Sequence, residues 1–163
     1  MAFPNGFHYL EGGFRMVYSD VSSTATFLAH NPVTFIDATR TLVEADSQTT
    51  WILGIAQANA ADSIGGTLAG KCPVLIPNQD TVFATKIQTG VTAANAQVGE
   101  AFDIEKAADH FRVDTDSASS ARVVLVARGY SNSAIDSVDS SVYCQFLQDF
   151  IGPYGSTQSR RYD

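Results

Sequence analysis

The chain has 163 residues, of which 45% are hydrophobic and only 17% are charged, against about 25% charged residues in ordinary globular proteins. This length suffices for one domain that buries its own core. The net charge of -7 argues against nucleic-acid binding, because a phosphate backbone is held by a basic face.

Neither a secretory signal nor a membrane span is expected from the sequence. The N-terminus lacks a basic region followed by an apolar one, and no apolar run approaches the roughly 20 residues of a membrane helix. Cys72 and Cys144 are too few for a disulfide framework. We predict two reduced, packed thiols in a protein made in a cytoplasm, although a bridge between them stays open.

Aromatic residues are concentrated at the start of the chain, where five of the 17 fall within the first 18 residues. Pro4, Gly6, Gly12 and Gly13 interrupt any regular period there, which excludes a useful amphipathic helix. Two interpretations stay open: this arm folds back on its own domain, or it docks on a neighbouring subunit through aromatic anchors. The candidate capsid or subunit contacts are Phe3, Phe7, Tyr9, Phe14 and Tyr18.

From residue 33 onward, short β-rich runs alternate with turns of small residues. Strands are predicted at 33–37, 41–45, 51–56, 81–87, 98–104, 111–115 and 122–128, with single helical turns at 58–62 and 105–109. A further strand at 74–76 is bracketed by Pro73 and Pro77, so its ends should be edge-like or unpaired. This pattern predicts a mostly β fold, either a small β-barrel or a sandwich.

The stretch 142–151 fits two periods. Its apolar residues over 143–151 follow helical spacing, and Gly152 and Pro153 would end such a helix. Val142, Cys144 and Phe146 alternate as in a strand, and we favour a closing strand. The expected division is an extended N-terminal arm over 1–30, a β-barrel domain over 31–152 and a flexible C-terminal tail over 153–163.

Motifs for chemistry are sparse. The segment 65–72 is one residue short of a P-loop, because Cys72 stands where a hydroxyl would ligate magnesium, and Pro73 opens a strand-like run in place of a phosphate-binding helix. The three histidines show no zinc-ligand spacing. The acids over 100–116, which lie near His110, fit a solvated turn better than a cation site. We expect no catalytic residue, no cofactor, no metal and no enzymatic activity.

Five phrases in the middle of the chain carry a resemblance to a known family. They are Gly54-Ile-Ala, Pro73-Val-Leu-Ile, Asp80-Thr-Val-Phe-Ala, Val98-Gly-Glu-Ala-Phe-Asp and Phe111-Arg-Val-Asp-Thr-Asp. In this order, over residues 50–148, the chain resembles the capsid decoration (cement) proteins of tailed bacteriophages. The resemblance implies a small β-barrel or β-tulip-like sandwich with one or two short helical turns and extended terminal arms.

The same resemblance implies a structural role on the virion. Such a protein binds the major capsid protein on the outside of the assembled head, commonly as a homotrimer and sometimes as a dimer, and stabilises the shell against internal DNA pressure. Nucleic acid and membrane are not among its implied partners, and synthesis takes place in the host bacterial cytoplasm. Deletion of residues 1–18 is then expected to abolish capsid binding and to leave the barrel folded.

Two other classes of function stay open at this stage. One is a different virion component of similar β architecture, such as a head–tail adaptor or a tail protein. Its position on the particle would separate it from a decoration protein. The other is a β-barrel module that binds carbohydrate through exposed aromatic side chains around a groove, which would bind glycans as an isolated protein.

Overall fold

A computed structural model describes residues 6–36, 39–46, 49, 51–63, 71–87, 95–116, 121–128 and 141–152. This part of the chain is mostly β and forms two antiparallel sheets that do not close into a barrel, which confirms the predicted fold class. No helix among the described residues has the length and apolar character that crossing a membrane requires.

The strands are numbered in chain order. They are β1 (His8–Glu11), β2 (Phe14–Asp20), β3 (Pro32–Phe35), β4 (Leu42–Glu44), β5 (Gly54–Ala56), β6 (Lys71–Pro77), β7 (Val82–Lys86), β8 (Ala101–Ala107), β9 (His110–Asp114), β10 (Val123–Arg128) and β11 (Ser141–Phe146). One helical turn, α1 (Ala60–Ser63), and two 3-10 turns, Asn95–Gln97 and Gln148–Phe150, accompany them.

The chain divides into two compact units. The first unit contains residues 1–12 and 79–147, and the second contains residues 13–78 and 148–163. The sheet of the first unit has the strand order β1-β7-β11-β10-β8-β9, and the sheet of the second has the order β2-β6-β5-β3-β4. Among the described strands, the edges are therefore β1 and β9 in the first unit and β2 and β4 in the second.

Alternation of apolar and polar residues builds the first unit. Phe102 and Ile104 on β8 are buried, as are Phe111 and Val113 on β9, while the residues between them are more exposed. The apolar run β10 lies inside this sheet, between β11 and β8, as its β-branched sequence predicts. The predicted strands at 81–87, 98–104, 111–115 and 122–128 are confirmed within one to three residues at their ends.

The ambiguous stretch 142–151 contains both kinds of structure. Ser141–Phe146 is a strand with Val142, Cys144 and Phe146 buried, which confirms the favoured interpretation for its first half. The chain then turns through the 3-10 segment Gln148–Phe150, so the helical spacing of the second half is realised as one short turn.

The second unit is organised around β6. This strand pairs with β2 over all seven residues, but with β5 only at Val74 and Leu75. Among the described strands, Pro77 pairs only with β2, which fits the predicted edge-like end. Pro73 pairs with β2, and its carbonyl also accepts a hydrogen bond from the N–H of Gln57 on the β5 side, so that end is not edge-like. Gly54 on β5 comes so close to the carbonyl group of Leu75 that any Cβ atom would overlap with it, which explains a glycine inside a strand.

Candidate binding surfaces

The structure separates the five predicted contact residues into two groups. Phe7 is fully buried, whereas Tyr9, Phe14 and Tyr18 are exposed. Phe3 lies outside the described residues. Tyr9 belongs to β1 in the first unit, and Phe14 and Tyr18 belong to β2 in the second.

Phe7 is part of the core of the first unit. Its ring centroid lies 4.9 Å from that of Phe146 and 6.4 Å from that of Phe83, and Phe83 and Phe146 are 5.5 Å apart. Tilted and edge-on arrangements at these distances are favourable for aromatic rings. Deletion of residues 1–18 would remove one ring of this cluster together with β1 and most of β2. We therefore now expect the deletion to destabilise the fold of the first unit.

The first two strands are separated by a glycine whose conformation only glycine accepts easily. Gly12 has a φ of 96°, and a Cβ atom on it would overlap with the backbone carbonyl of Asp80. From the sequence, these glycines were predicted only to interrupt a regular period of apolar residues. The signal it missed is the alternation of Phe14, Met16 and Tyr18, which has the period of a strand.

Tyr9 and Leu10 are consecutive exposed residues of the edge strand β1, at the point where its register with β7 shifts between Tyr9 and Glu11. We name these two residues the β1 row. Their exposed fractions are 41% and 40%. The hydroxyl of Tyr9 donates a hydrogen bond to the carbonyl oxygen of Gly12 at 2.8 Å, which holds the tyrosine ring beside the end of its own strand. Leu10 was not among the predicted contacts.

Phe14, Met16 and Tyr18 form a second exposed group, which we name the β2 row. Their exposed fractions are 43%, 37% and 65%. All three project on the same face of the second sheet, because alternate residues of a strand share a face. In the register of β2 with β6 they lie opposite three apolar residues of the neighbouring strand: Pro77, Leu75 and Pro73. The β2 row is thus the outer half of an apolar band two strands wide.

Exposed apolar side chains are concentrated in these two rows. Among the described residues, seven large hydrophobic side chains are exposed, and five of them belong to the β1 and β2 rows. The other two are Ile36 and Val98. Single exposed apolar residues are ordinary, but a cluster of them marks a surface that contacts another molecule.

Two acids of the segment 100–116, Asp103 and Glu105, form ion pairs with arginines. Asp103 contacts the guanidinium of the buried Arg122 at 3.3 Å, and Glu105 accepts a hydrogen bond from Nε of Arg112 at 2.7 Å. Within the described ranges, no three side chains of the metal-ligating types converge. Asp103 and Glu105 lie on β8 and Asp114 lies on β9, at positions more exposed than the buried Phe102, Ile104 and Val113.

The segment resembling a P-loop ends in a strand. Residues 65–70 of this segment lie outside the described residues, and Lys71 and Cys72 begin β6. The ammonium of Lys71 binds the carboxylate of Asp20 at 2.6 Å. It is therefore held by an acid on the adjacent strand, and no helix follows it to present N–H groups to a phosphate.

The two cysteines are free and buried, which confirms the prediction of packed thiols. Burial raises the pKa of the Cys72 thiol, and hydrogen bonds to Ser63, Ala58 and Gln57 lower it by less. Burial also raises the pKa of Cys144. Neither thiol has the lowered pKa that characterises a nucleophilic cysteine.

The second unit contains a recess of about 400 Å³. Three polar side chains reach it, from Arg15, Asn78 and Gln148. The rest of its lining is Leu53, Ile76, Pro77, Ile151 and Gly152. Among the described residues, this lining offers one cation and two amides and contains no carboxylate, imidazole or thiol.

No protein-family model, curated protein or solved structure matches this chain. Two features of the chain bear on its function: the resemblance carried by the five sequence phrases and the two exposed rows. Of these, the rows are the feature with a direct physical consequence, because apolar surface gains free energy when a partner covers it.

Proposed function

We propose that this protein is a non-enzymatic decoration protein that binds the outer surface of an assembled tailed-phage capsid and stabilises the shell. The sequence resemblance over residues 50–148 names the class of partner. The observation that carries the proposal is the concentration of exposed apolar side chains, five of seven in the described part of the chain, on β1 and β2.

The binding free energy that these side chains can supply suits a contact that is weak for each copy and strong when many copies bind one shell. Covering apolar surface contributes about 25 cal/mol per Å², so two or three half-exposed side chains supply only a few kcal/mol before the entropic cost of association. A shell presents many identical sites, and a ligand that binds only the assembled lattice stabilises that lattice by mass action. Contacts shared among neighbouring copies multiply the effect.

Within this proposal, the β1 row is the contact with the major capsid protein. Tyr9 and Leu10 lie on the edge strand of the first unit, and the hydrogen bond from Tyr9 to Gly12 fixes the ring before binding. A side chain that is already ordered loses less conformational entropy on association. The low fraction of charged residues, 17%, suits a surface that packs against protein.

The test mixes the purified protein with empty, expanded capsids and measures bound protein after washing, by sedimentation and by electron microscopy. Leu10→Lys places a charge in the contact and should weaken binding at least about tenfold, which corresponds to roughly 1.4 kcal/mol. The matched control is Val98→Lys, since Val98 is exposed to 41% and Leu10 to 40% in the same unit.

Three outcomes of this experiment are informative. Regular density on the lattice, lost with Leu10→Lys and kept with Val98→Lys, supports both the function and the assigned contact. Equal binding of the two variants refutes the β1 row as the contact. Bare shells with the unaltered protein refute decoration, and protein found only at the tail vertex favours a head–tail adaptor or tail component.

Carbohydrate binding is the second candidate, and one observation favours it. Phe14 and Tyr18 project from the same face of β2 four residues apart, a separation of about 13 Å at 3.3 Å per residue. Two exposed aromatic rings on one paired strand can stack on sugar rings. Binding of the isolated protein to immobilised glycans, lost on Tyr18→Ala, would favour this function over decoration.

A further inference from the structure

The described strands of the two units share one topology. The second unit has the strand order β2-β6-β5-β3-β4, and the first has the order β7-β11-β10-β8-β9 once β1 at its edge is set aside. Counted from the first strand of each unit, both orders read first, fifth, fourth, second, third, and every pair is antiparallel. Each strand of the second unit therefore has a counterpart in the first, which is β7 for β2, β8 for β3, β9 for β4, β10 for β5 and β11 for β6.

An isolated bridge aligns the residues of the two units. Val21, directly after β2, forms a parallel bridge with Leu42 on β4. Ile87, directly after β7, forms the corresponding parallel bridge with Val113 on β9. In both units the first strand thus meets the third at one point, and counting along the strands from these bridges assigns a counterpart to each residue.

Backbone conformation supports this alignment. The N–H of His30 donates to the carbonyl oxygen of Ala56 at 2.7 Å, and the N–H of Gly99 donates to that of Leu125 at 2.7 Å. The φ angles of His30 and Gly99 are 72° and 89°, a region that glycine enters more easily than other residues. Strand order, register and conformation agree, so the chain contains two copies of one five-stranded module.

The alignment identifies the residues of the second unit that correspond to the surroundings of Phe7. In the first unit, Phe7 packs against Phe83 and Phe146. Their counterparts are Val17 and Ile76, because Phe83 lies four residues before its bridge, as Val17 does, and the register with the fifth strand is the same. Phe83 is fully buried, whereas Val17 is only half-buried. This part of the module is therefore less completely covered in the second unit.

The recess of about 400 Å³ lies at these less covered positions. Arg15 and Ile76 are opposite each other on β2 and β6, and both line it. The counterpart of Arg15 is Thr81, which is fully buried, whereas Arg15 is exposed. A region that is buried in the first unit is thus open as a recess in the second, and its volume falls in the range of about 300–1,000 Å³ of ordinary binding pockets.

The lining of the recess suits an apolar side chain attached to a peptide backbone. Its buried apolar residues are Leu53, Ile76, Pro77 and Ile151. Asn78 and Gln148 add two amide groups, which can bond the N–H and C=O groups of a peptide. Arg15 and Asn78 also have other interactions within the chain, so the apolar lining is the part of the recess that would supply most of the affinity.

We infer that this recess receives an aromatic side chain from an extended segment of another protein, held in the second unit as Phe7 is held in the first. Phe7 directly precedes β1, which pairs as an antiparallel strand with β7, so the chain itself shows the kind of segment that the module accepts. An aromatic ring also supplies a large apolar area for few rotatable bonds. Phe7 is fully buried in its own unit, and a second copy would have to release β1 to provide it. This docking site does not depend on the capsid role.

The first test is an NMR titration of the isotope-labelled intact protein with two synthetic peptides. One peptide has the sequence of residues 6–11, which includes Phe7, and the other has the same sequence with Phe7→Ala. We expect the first peptide to give saturable shifts at the amides of Leu53, Ile76 and Ile151, with a Kd on the order of 1 mM. The peptide with Phe7→Ala should bind at least tenfold more weakly.

A variant of the protein separates the recess from the rest of the surface. Gln148 is exposed and lines the recess, so Gln148→Trp places a ring there from within the chain and should weaken peptide binding at least tenfold. The matched control is Thr26→Trp, which places the same side chain at another exposed position of the second unit and should leave binding unchanged. Circular dichroism verifies that both variants are folded.

Recess shifts that require the phenylalanine of the peptide, and that are lost only in Gln148→Trp, support the docking site. Absence of shifts at millimolar peptide, equal binding of the two peptides, or binding unaffected by Gln148→Trp overturns it. Shifts confined to Phe83 and Phe146 would report exchange of β1 in the first unit and would also overturn it. Recess signals that move with protein concentration alone would make a second copy the occupant and overturn the assignment to another protein.

Discussion

Replacement of Phe7 by alanine tests whether the start of the chain is structural. The side chain is fully buried and packs against Phe83 and Phe146. Phe→Ala replacements in cores cost about 3–5 kcal/mol, and each aromatic pair contributes about 0.5–1.5 kcal/mol beyond the area it buries. With two such pairs lost, we expect a decrease of about 4–5 kcal/mol in the free energy of unfolding of the first unit.

The measurement is urea denaturation followed by circular dichroism. Tyr18→Ala serves as the control, because Tyr18 is an exposed aromatic of β2, and its replacement should change stability by less than about 1 kcal/mol. A change below about 1 kcal/mol for Phe7→Ala would show that the arm does not contribute to the core, and would restore deletion of residues 1–18 as a valid test of binding.

Further predictions concern the ion pairs and the thiols. Asp103→Asn removes a carboxylate from the buried guanidinium of Arg122 and should lower the free energy of unfolding by about 3 kcal/mol. Asp20→Asn changes an exposed ion pair and should lower it by less than about 1 kcal/mol. Equal losses in denaturation experiments would contradict this reasoning. Both native thiols should resist an aromatic disulfide reagent until the protein unfolds. Because burial raises the pKa of Cys72 above its ordinary value of 9.0, the unfolded chain ionises first, and stability should be complete below pH 9 and fall above it. Cys72→Ala should reduce that fall.

The strands of the first unit were predictable because the local alternation of apolar and polar residues is enough to identify them. In β8 and β9, polar residues alternate with Phe102, Ile104, Phe111 and Val113, which fits one buried and one exposed face. The apolar run from Val123 was equally clear. The stretch 142–151 was harder, because the change from a strand to a 3-10 turn at its middle gives each half a different period.

The arm could not be assigned from its sequence because its structure depends on distant residues. β1 pairs with β7, and β2 pairs with β6, and nothing local to residues 6–20 identifies those partners. Phe7 and Phe14 each follow a glycine, yet Phe7 is buried and Phe14 is exposed. Phe7 directly precedes β1 and Phe14 begins β2, and these two strands belong to different sheets, which aromatic content does not reveal.

The candidate surface was only partly visible for a similar reason. The sequence identified Tyr9, Phe14 and Tyr18 through aromatic type, and it missed Leu10 and Met16, which are exposed to the same degree. Exposure of an apolar side chain on a strand depends on whether another sheet face covers it. The sequence of the strand alone does not contain that information.

The crossing of the chain between its two units has a consequence for folding during synthesis. All five strands of the second sheet lie within residues 14–77, so that sheet can assemble as soon as this stretch leaves the ribosome. β1 is made before any of them, but its register partner for His8 is Ala84. β1 therefore cannot form its strand pairing until β7 has been translated. Phe7 stays uncovered in the nascent polypeptide until both β7 and β11 have been translated. A pairing with such a long loop is slow to close. Docking of β1 is consequently a late event in folding, although β1 is the first strand to be synthesised.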